Sequence, residues 1–290
     1  MWRRSPRTDC CSRIRKRRVA LLITALALAG CGTRAVRPGA AVRLAYGGAP
    51  GANAAWNETL TLRGEVAFGG FPQLVVVTLR ARIRETVTAV EPDGRRRVTQ
   101  AWIIQPPEID GMPVPVEGVP PRTELALVRA PDGEMWTSSG SGGDGALGWL
   151  LRAAGGFFPQ LPLVPVAPGE TWTRTSTTGG GEAALTASFD GRFEGRESAA
   201  PTVTDLTVSG AASLAGAAAG TGGSVSEFHL DHHGTVRFDA AAGRVVESRQ
   251  TGTLKLQAKA GKTALSVRAR FESVLVPAPE PRLPVADPPP

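Results

Sequence analysis

The chain has 290 residues, enough for one large domain or two ordinary ones, and Gly (35) with Pro (24) makes about a fifth of it, below the share that marks a low-complexity chain. The formal charge of +7 is an end effect: residues 1–30 hold eight basic side chains and one acid, while residues 31–290 carry 25 of each sign. A body without a cationic surplus cannot neutralise a phosphate backbone, so nucleic acid is excluded as a partner.

At the N-terminus, Arg15-Lys16-Arg17-Arg18 leads into twelve mostly apolar residues, 19–30. Twelve fall short of the ~20 that a helix needs to span a membrane, and a basic flank before a short apolar run is the pattern of an export signal. The run ends in Leu28-Ala29-Gly30-Cys31, which resembles the lipobox of bacterial lipoproteins at all four positions. The resemblance implies cleavage between Gly30 and Cys31, with a diacylglycerol thioether and an N-acyl chain on Cys31. It also implies an extracytoplasmic protein whose membrane partner is reached through that lipid; acyl chains beyond the first make such attachment stable. Gly32 stands where aspartate would imply inner-membrane retention, so in a two-membrane cell the periplasmic face of the outer membrane is expected. The other two cysteines, Cys10 and Cys11, lie within the signal, so the mature chain is expected to have no disulfide, thiolate metal site or cysteine nucleophile.

Residues 31–40 read as a polar tether. Residues 55–68 alternate, with Trp56, Leu60, Leu62, Val66 and Phe68 on one face. Residues 74–91 alternate more strongly: Val75, Val77, Leu79, Ala81, Ile83, Val87 and Ala89 share one parity, and threonines and arginines dominate the other. A run this long predicts a curved strand, or one broken by a bulge near Glu85. Pro92-Asp93-Gly94 and Pro131-Asp132-Gly133 are turn signals. Residues 146–154 (ALGWLLRAA) read as the one short helix, and residues 209–223 as a loose hairpin tip or loop. From about residue 224 the chain reads as an antiparallel meander, with Leu265, Val267, Ala269, Phe271 and Leu275 on one face of its last strand. Residues 277–290 hold seven prolines and read as a disordered, extended tail. The expected fold is all-β: one domain over residues 41–276, built on a long curved antiparallel sheet or incomplete barrel with one short helix. A two-sheet sandwich is the alternative.

Chemistry-bearing motifs are few. The three histidines fall at His229, His232 and His233, and on a strand Glu227, His229, Asp231 and His233 share one face. Carboxylates and imidazoles are metal ligands, so His229, Asp231 and His233 are the candidate set; a solvated polar face is the simpler reading, and no metal is expected. Residues 140–145 fit G-x-G-x-x-G, but no parallel crossover follows, so a loop is expected rather than a dinucleotide site. No serine sits in G-x-S-x-G, no carboxylate pair is singled out, and no cofactor is expected. Arg80, Arg82, Arg84 and Arg95-Arg96-Arg97 make residues 72–104 basic, while residues 105–145 carry seven acids against two arginines. A headgroup-binding surface and simple pairing between these neighbours both fit, and overall neutrality favours pairing.

The stretch Leu161-Pro162-Leu163-Val164-Pro165-Val166-Ala167-Pro168-Gly169-Glu170-Thr171-Trp172 resembles the LP-x-x-PV-x-PGE-x-W segment of β-rich bacterial envelope lipoproteins, a group with no assigned activity. The expected function is a lipid-anchored, non-enzymatic envelope lipoprotein whose curved sheet holds an apolar or lipid-like ligand. By fold-level analogy with lipoprotein carriers, Trp149, Phe157 and Phe158 are the expected lining. The alternatives are that these rings complete a dry core, and that the protein is a structural or interaction component of the envelope with no small-molecule ligand. Its protein partners are left open.

Overall fold

The computed structural model describes residues 40–114, 122–137, 158–180, 183–196, 200–220, 223–260 and 263–279. Ala41–Pro290 forms one compact unit. Every regular element among the described residues is a strand: β1 (Asn53–Phe68), β2 (Phe71–Val90), β3 (Arg96–Ile104), β4 (Glu108–Ile109), β5 (Met112–Pro113), β6 (Arg122–Arg129), β7 (Met135–Thr137), β8 (Thr171–Gly180), β9 (Ala183–Arg196), β10 (Val203–Ala215), β11 (Ala218–Gly220), β12 (Gly223–Asp239), β13 (Arg244–Ala260) and β14 (Thr263–Pro277). They make one sheet, with main order β7-β6-β3-β2-β1-β14-β13-β12-β10-β9-β8. Neighbours along that order are antiparallel, and β7 and β8 end it unpaired to each other, so the sheet does not close into a barrel. One sheet rather than two replaces the sandwich alternative.

Alternation placed the long strands well. β1, β2 and β14 cover the three runs read from the sequence, and the ladder of β2 on β3 shifts register between Val87 and Ala89, just past Glu85. Residues 209–223, read as a hairpin tip or loop, are corrected in their first part: β10 continues to Ala215, and β11 then pairs back on β12 with Gly220 opposite Gly223, as in a hairpin. Small residues are what the packing there requires: a Cβ on Gly210 would lie 2.6 Å from Nε2 of His232, whose ring fills that space. The helix expected over residues 146–154, the loop at 140–145, the lipobox and residues 280–290 lie outside the described residues.

An apolar face this long has to be covered. The sheet covers it by curling. Ile83 of β2, Val98 of β3 and Leu125 of β6 share one core with Phe193 of β9, Leu206 of β10 and Val236 of β12, from the other half of the strand order. Irregular chain closes the gap between the edges at this end. Val42 and Val166 exchange backbone hydrogen bonds of 2.8 and 3.0 Å. The fully buried Leu161 donates its N–H to the Asp132 carbonyl at 2.7 Å. The indole N–H of Trp172, on β8, donates to the Gln160 carbonyl at 2.8 Å. Arg174 of β8 pairs with the carboxylate of Asp132, in the turn after β6. The L-P-x-x-P-V segment is thus the piece that bridges the two edges.

Beneath this bridge lies a buried ion pair. Arg129 grips Glu85 through two hydrogen bonds, of 2.7 and 2.6 Å, and the Gln100 amide donates to the same carboxylate at 2.8 Å. The guanidinium lies 4.8 Å from the Tyr46 ring centroid and 5.2 Å from that of Phe158. The Tyr46 hydroxyl donates to the Pro159 carbonyl at 3.1 Å. Burial pulls the Arg129 pKa down, but Glu85 outweighs it and holds the guanidinium charged; burial likewise keeps the Tyr46 hydroxyl protonated far above its ordinary range.

Two substitutions test this packing. Arg129→Met strands a buried carboxylate and should cost about 4 kcal/mol, while adding Glu85→Leu should recover most of that loss. A Cβ on Gly191 would fall 2.2 Å from the Trp172 ring, so Gly191→Ala should cost about 2 kcal/mol. Urea unfolding midpoints measure both; a double variant no more stable than Arg129→Met would contradict the first.

Candidate functional site

The inward face of the sheet carries two apolar clusters with a polar belt between them. Among the described residues, the first cluster, under the bridge, has twenty-one buried side chains and six partly buried at its fringe, so it is the more fully covered. The second has, among the described residues, eight buried ones, including Val66, Phe228, Leu256 and Val267, and eight partly buried ones around them. Leu62, Val75, Leu230, Leu254 and Leu265 are in that fringe. Inward-facing leucines that remain partly accessible mean that the second end of the sheet is less tightly covered.

The belt crosses four adjacent strands. Glu58 comes from β1, Ser273 from β14, Ser248 and Gln250 from β13 and His232 from β12; each is 8 % exposed or less. Register explains the grouping, since Gln250 pairs with Ser273, and Leu275 stands opposite both Ser248 and Glu58. The belt's internal bonds are sparse. The Ser273 hydroxyl donates to Glu58 at 3.4 Å, a long contact, and the Gln250 amide donates to Ser248 Oγ at 3.1 Å. Gln250 also hydrogen-bonds His232, while His232 Nδ1 is buried without a partner. Burial raises the Glu58 pKa to about 7, against the opposing pull of the Ser273 hydrogen bond. Burial lowers that of His232, so the imidazole is neutral at physiological pH.

The other charged groups on this face lie under the bridge: Glu85 is paired with Arg129, Arg174 with Asp132, and Arg96 donates to the Gly48 and Gly94 carbonyls. Glu58 escaped the sequence reading, although a signal was there. It sits on the apolar parity of its strand, between Trp56 and Leu60, as Glu85 does between Ile83 and Val87.

The histidine cluster splits as strand parity requires. His229, Asp231 and His233 face outward, with His229 Nε2 2.9 Å from Asp231 Oδ2 and His233 Nε2 3.2 Å from the Thr251 hydroxyl. Glu227, beside them, pairs with Lys255. Among the described residues no three His, Cys, Asp or Glu side chains gather closely enough to hold a metal. Arg80 pairs with Glu108, an acid from the neighbouring segment, and Arg95 and Arg97 pair with Glu91. Phe158 is buried in the first cluster, 5.5 Å edge-on to Trp56. Trp149, Phe157 and Cys31 lie outside the described residues.

Outside the sheet, an open groove of about 520 Å³ runs along the bridge between Leu163, Val164, Glu170 and Trp172. Phe71, Leu74 and Met112 stand exposed at the tips of hairpins. No helix among the described residues is long and apolar enough to cross a membrane. No known protein-family model, curated protein or solved structure matches this chain.

The Glu58 carboxyl makes stability depend on pH. Its folded-state pKa of about 7 lies above the ordinary glutamate value of 4.5, so the folded state holds the proton more tightly. Stability from this group is therefore highest below pH 4.5, falls as pH rises towards 7, and settles about 3 kcal/mol lower above it. Glu58→Gln should abolish that component. Urea unfolding of both chains from pH 4 to 8 checks it, and an unchanged pH slope in the variant would refute the assignment.

Proposed function

We propose that this chain is a lipid-anchored lipoprotein of the cell envelope, non-enzymatic, whose curled sheet holds an apolar or lipid-like ligand. The anchor rests on the N-terminal pattern, ending in Leu28-Ala29-Gly30-Cys31. In a two-membrane cell the absence of an aspartate after Cys31 favours the periplasmic face of the outer membrane. The ligand reading rests on the contrast between the more fully covered first cluster and the half-covered second one. Long strands that present apolar side chains inward, yet leave several partly accessible, have the character of a lined cleft rather than a finished core. Of its inward charged groups, Glu85, Arg129 and Arg174 sit in ion pairs, while Glu58 stands beside the half-covered cluster with Ser273 as its partner.

A second reading, an interaction protein of the envelope without a small-molecule ligand, draws on the exposed Phe71, Leu74 and Met112, which a protein partner would cover. A neutral naphthylamine dye separates the two. The ligand reading expects saturable, one-site fluorescence enhancement, abolished when Leu62→Trp fills the cleft without loss of stability. Enhancement that is absent, or unmoved by Leu62→Trp, favours the interaction protein. For the anchor, Cys31→Ala should block cleavage after Gly30 and release the protein from acylation; a variant still cleaved and acylated there would refute it.

A further inference from the structure

The polar belt has more hydrogen-bonding capacity than its own contacts use. A carboxyl group offers several acceptor positions, and Glu58 uses one, at 3.4 Å. The Nδ1 of His232, three strands away at the far end of the belt, is buried with no partner. Buried polar groups left so poorly satisfied in a native fold call for an occupant. The belt also borders the half-covered apolar cluster: Leu60 stands opposite Ser273, and Leu62 follows on the same face. A tail lying along Leu62, Val75 and Leu254 would bring its polar end to Glu58 and Ser273.

Charge narrows what that end can be. The described inward positions carry three arginines, all under the bridge and none in the belt: Arg129 is held by the two oxygens of Glu85, Arg174 by Asp132, and Arg96, opposite Arg129, by the Gly48 and Gly94 carbonyls. A carboxylate or phosphate entering here would find no free cation and would meet the Glu58 carboxyl in a low-dielectric interior, where like charges repel strongly. A hydroxyl meets no such penalty. It can donate to the Glu58 carboxylate and accept from the Ser273 hydroxyl, whatever the charge on Glu58.

We propose that the belt of Glu58, Ser273, Gln250 and His232 is the headgroup site of this cleft, and that it selects uncharged, hydroxyl-bearing amphiphiles over anionic ones. This rests on the ligand reading above and names its substrate class.

Two probes of equal chain length test it, 1-dodecanol and dodecanoate, added to the full-length chain carrying Cys31→Ser, which cannot be acylated there. Binding is read by equilibrium dialysis at pH 8.5. Dodecanol should bind at one site at least about ten-fold more tightly than dodecanoate, a gap that one disfavoured charge readily supplies. Glu58→Gln, which keeps the shape and removes the charge, should shrink that gap to about three-fold or less. Ser273→Ala, with Glu58 in place, should weaken dodecanol several-fold and leave dodecanoate excluded. Dodecanoate binding as tightly as dodecanol, or a gap unchanged in Glu58→Gln, would overturn the headgroup site while leaving the cleft standing. Absence of saturable binding by either probe would overturn the ligand reading itself.

Discussion

Everything in this molecule follows from one constraint: a single sheet with one continuous apolar face has to cover that face with itself. Its strands run to 20 residues, and among the described residues no helix packs on them. Curling is the available solution, and it brings β6 and β8, near opposite ends of the strand order, within reach of one salt bridge between Asp132 and Arg174. The buried Glu85–Arg129 pair sits beneath the bridge that joins those edges. It is costly to desolvate, but once formed it ties β2 to β6, and through the Tyr46 and Phe158 rings it fixes the two irregular segments that cover the end.

Covering one end has a consequence for the other. The bridge formed by Val42, Leu161 and Val166 completes the first cluster, whereas the second cluster keeps a fringe of partly accessible leucines. Between them the inward face turns polar, and the polar side chains differ in kind on the two sides of the boundary. Under the bridge, Arg129 grips Glu85 at 2.6 and 2.7 Å and Arg174 pairs with Asp132, although the Nε of each arginine is buried without a partner. In the belt, Glu58 has one long contact and a pKa raised to about 7 by burial. Both ends keep buried polar atoms without partners, but those of the belt are the ones that border the partly accessible apolar cluster.

Much of this was legible in the residues. Alternation located β1, β2 and β14 and the parity of their faces, because one-sided burial imposes a period of two and a one-residue slip would expose the core. The outward ladder of His229, Asp231 and His233 was legible for the same reason. Two things were not. Residues 209–223 read as a hairpin tip or loop because small residues carry little strand signal, yet β10 runs on to Ala215 and Gly210 is small to admit the His232 ring from the neighbouring strand. The belt was hidden because it is assembled across four strands: Glu58 and Ser273 lie 215 positions apart, and only their pairing in the sheet makes them neighbours. A charge on an apolar parity was the one local clue.

If the half-covered end of the curled sheet holds one uncharged amphiphile in the cell, native mass spectrometry of the intact chain, taken straight from its own membrane, will find a population carrying one additional small mass per chain, identified on release as a hydroxyl-bearing, non-anionic lipid. A chain found only at its own mass, or carrying a fatty acid or phospholipid in that place, would contradict it.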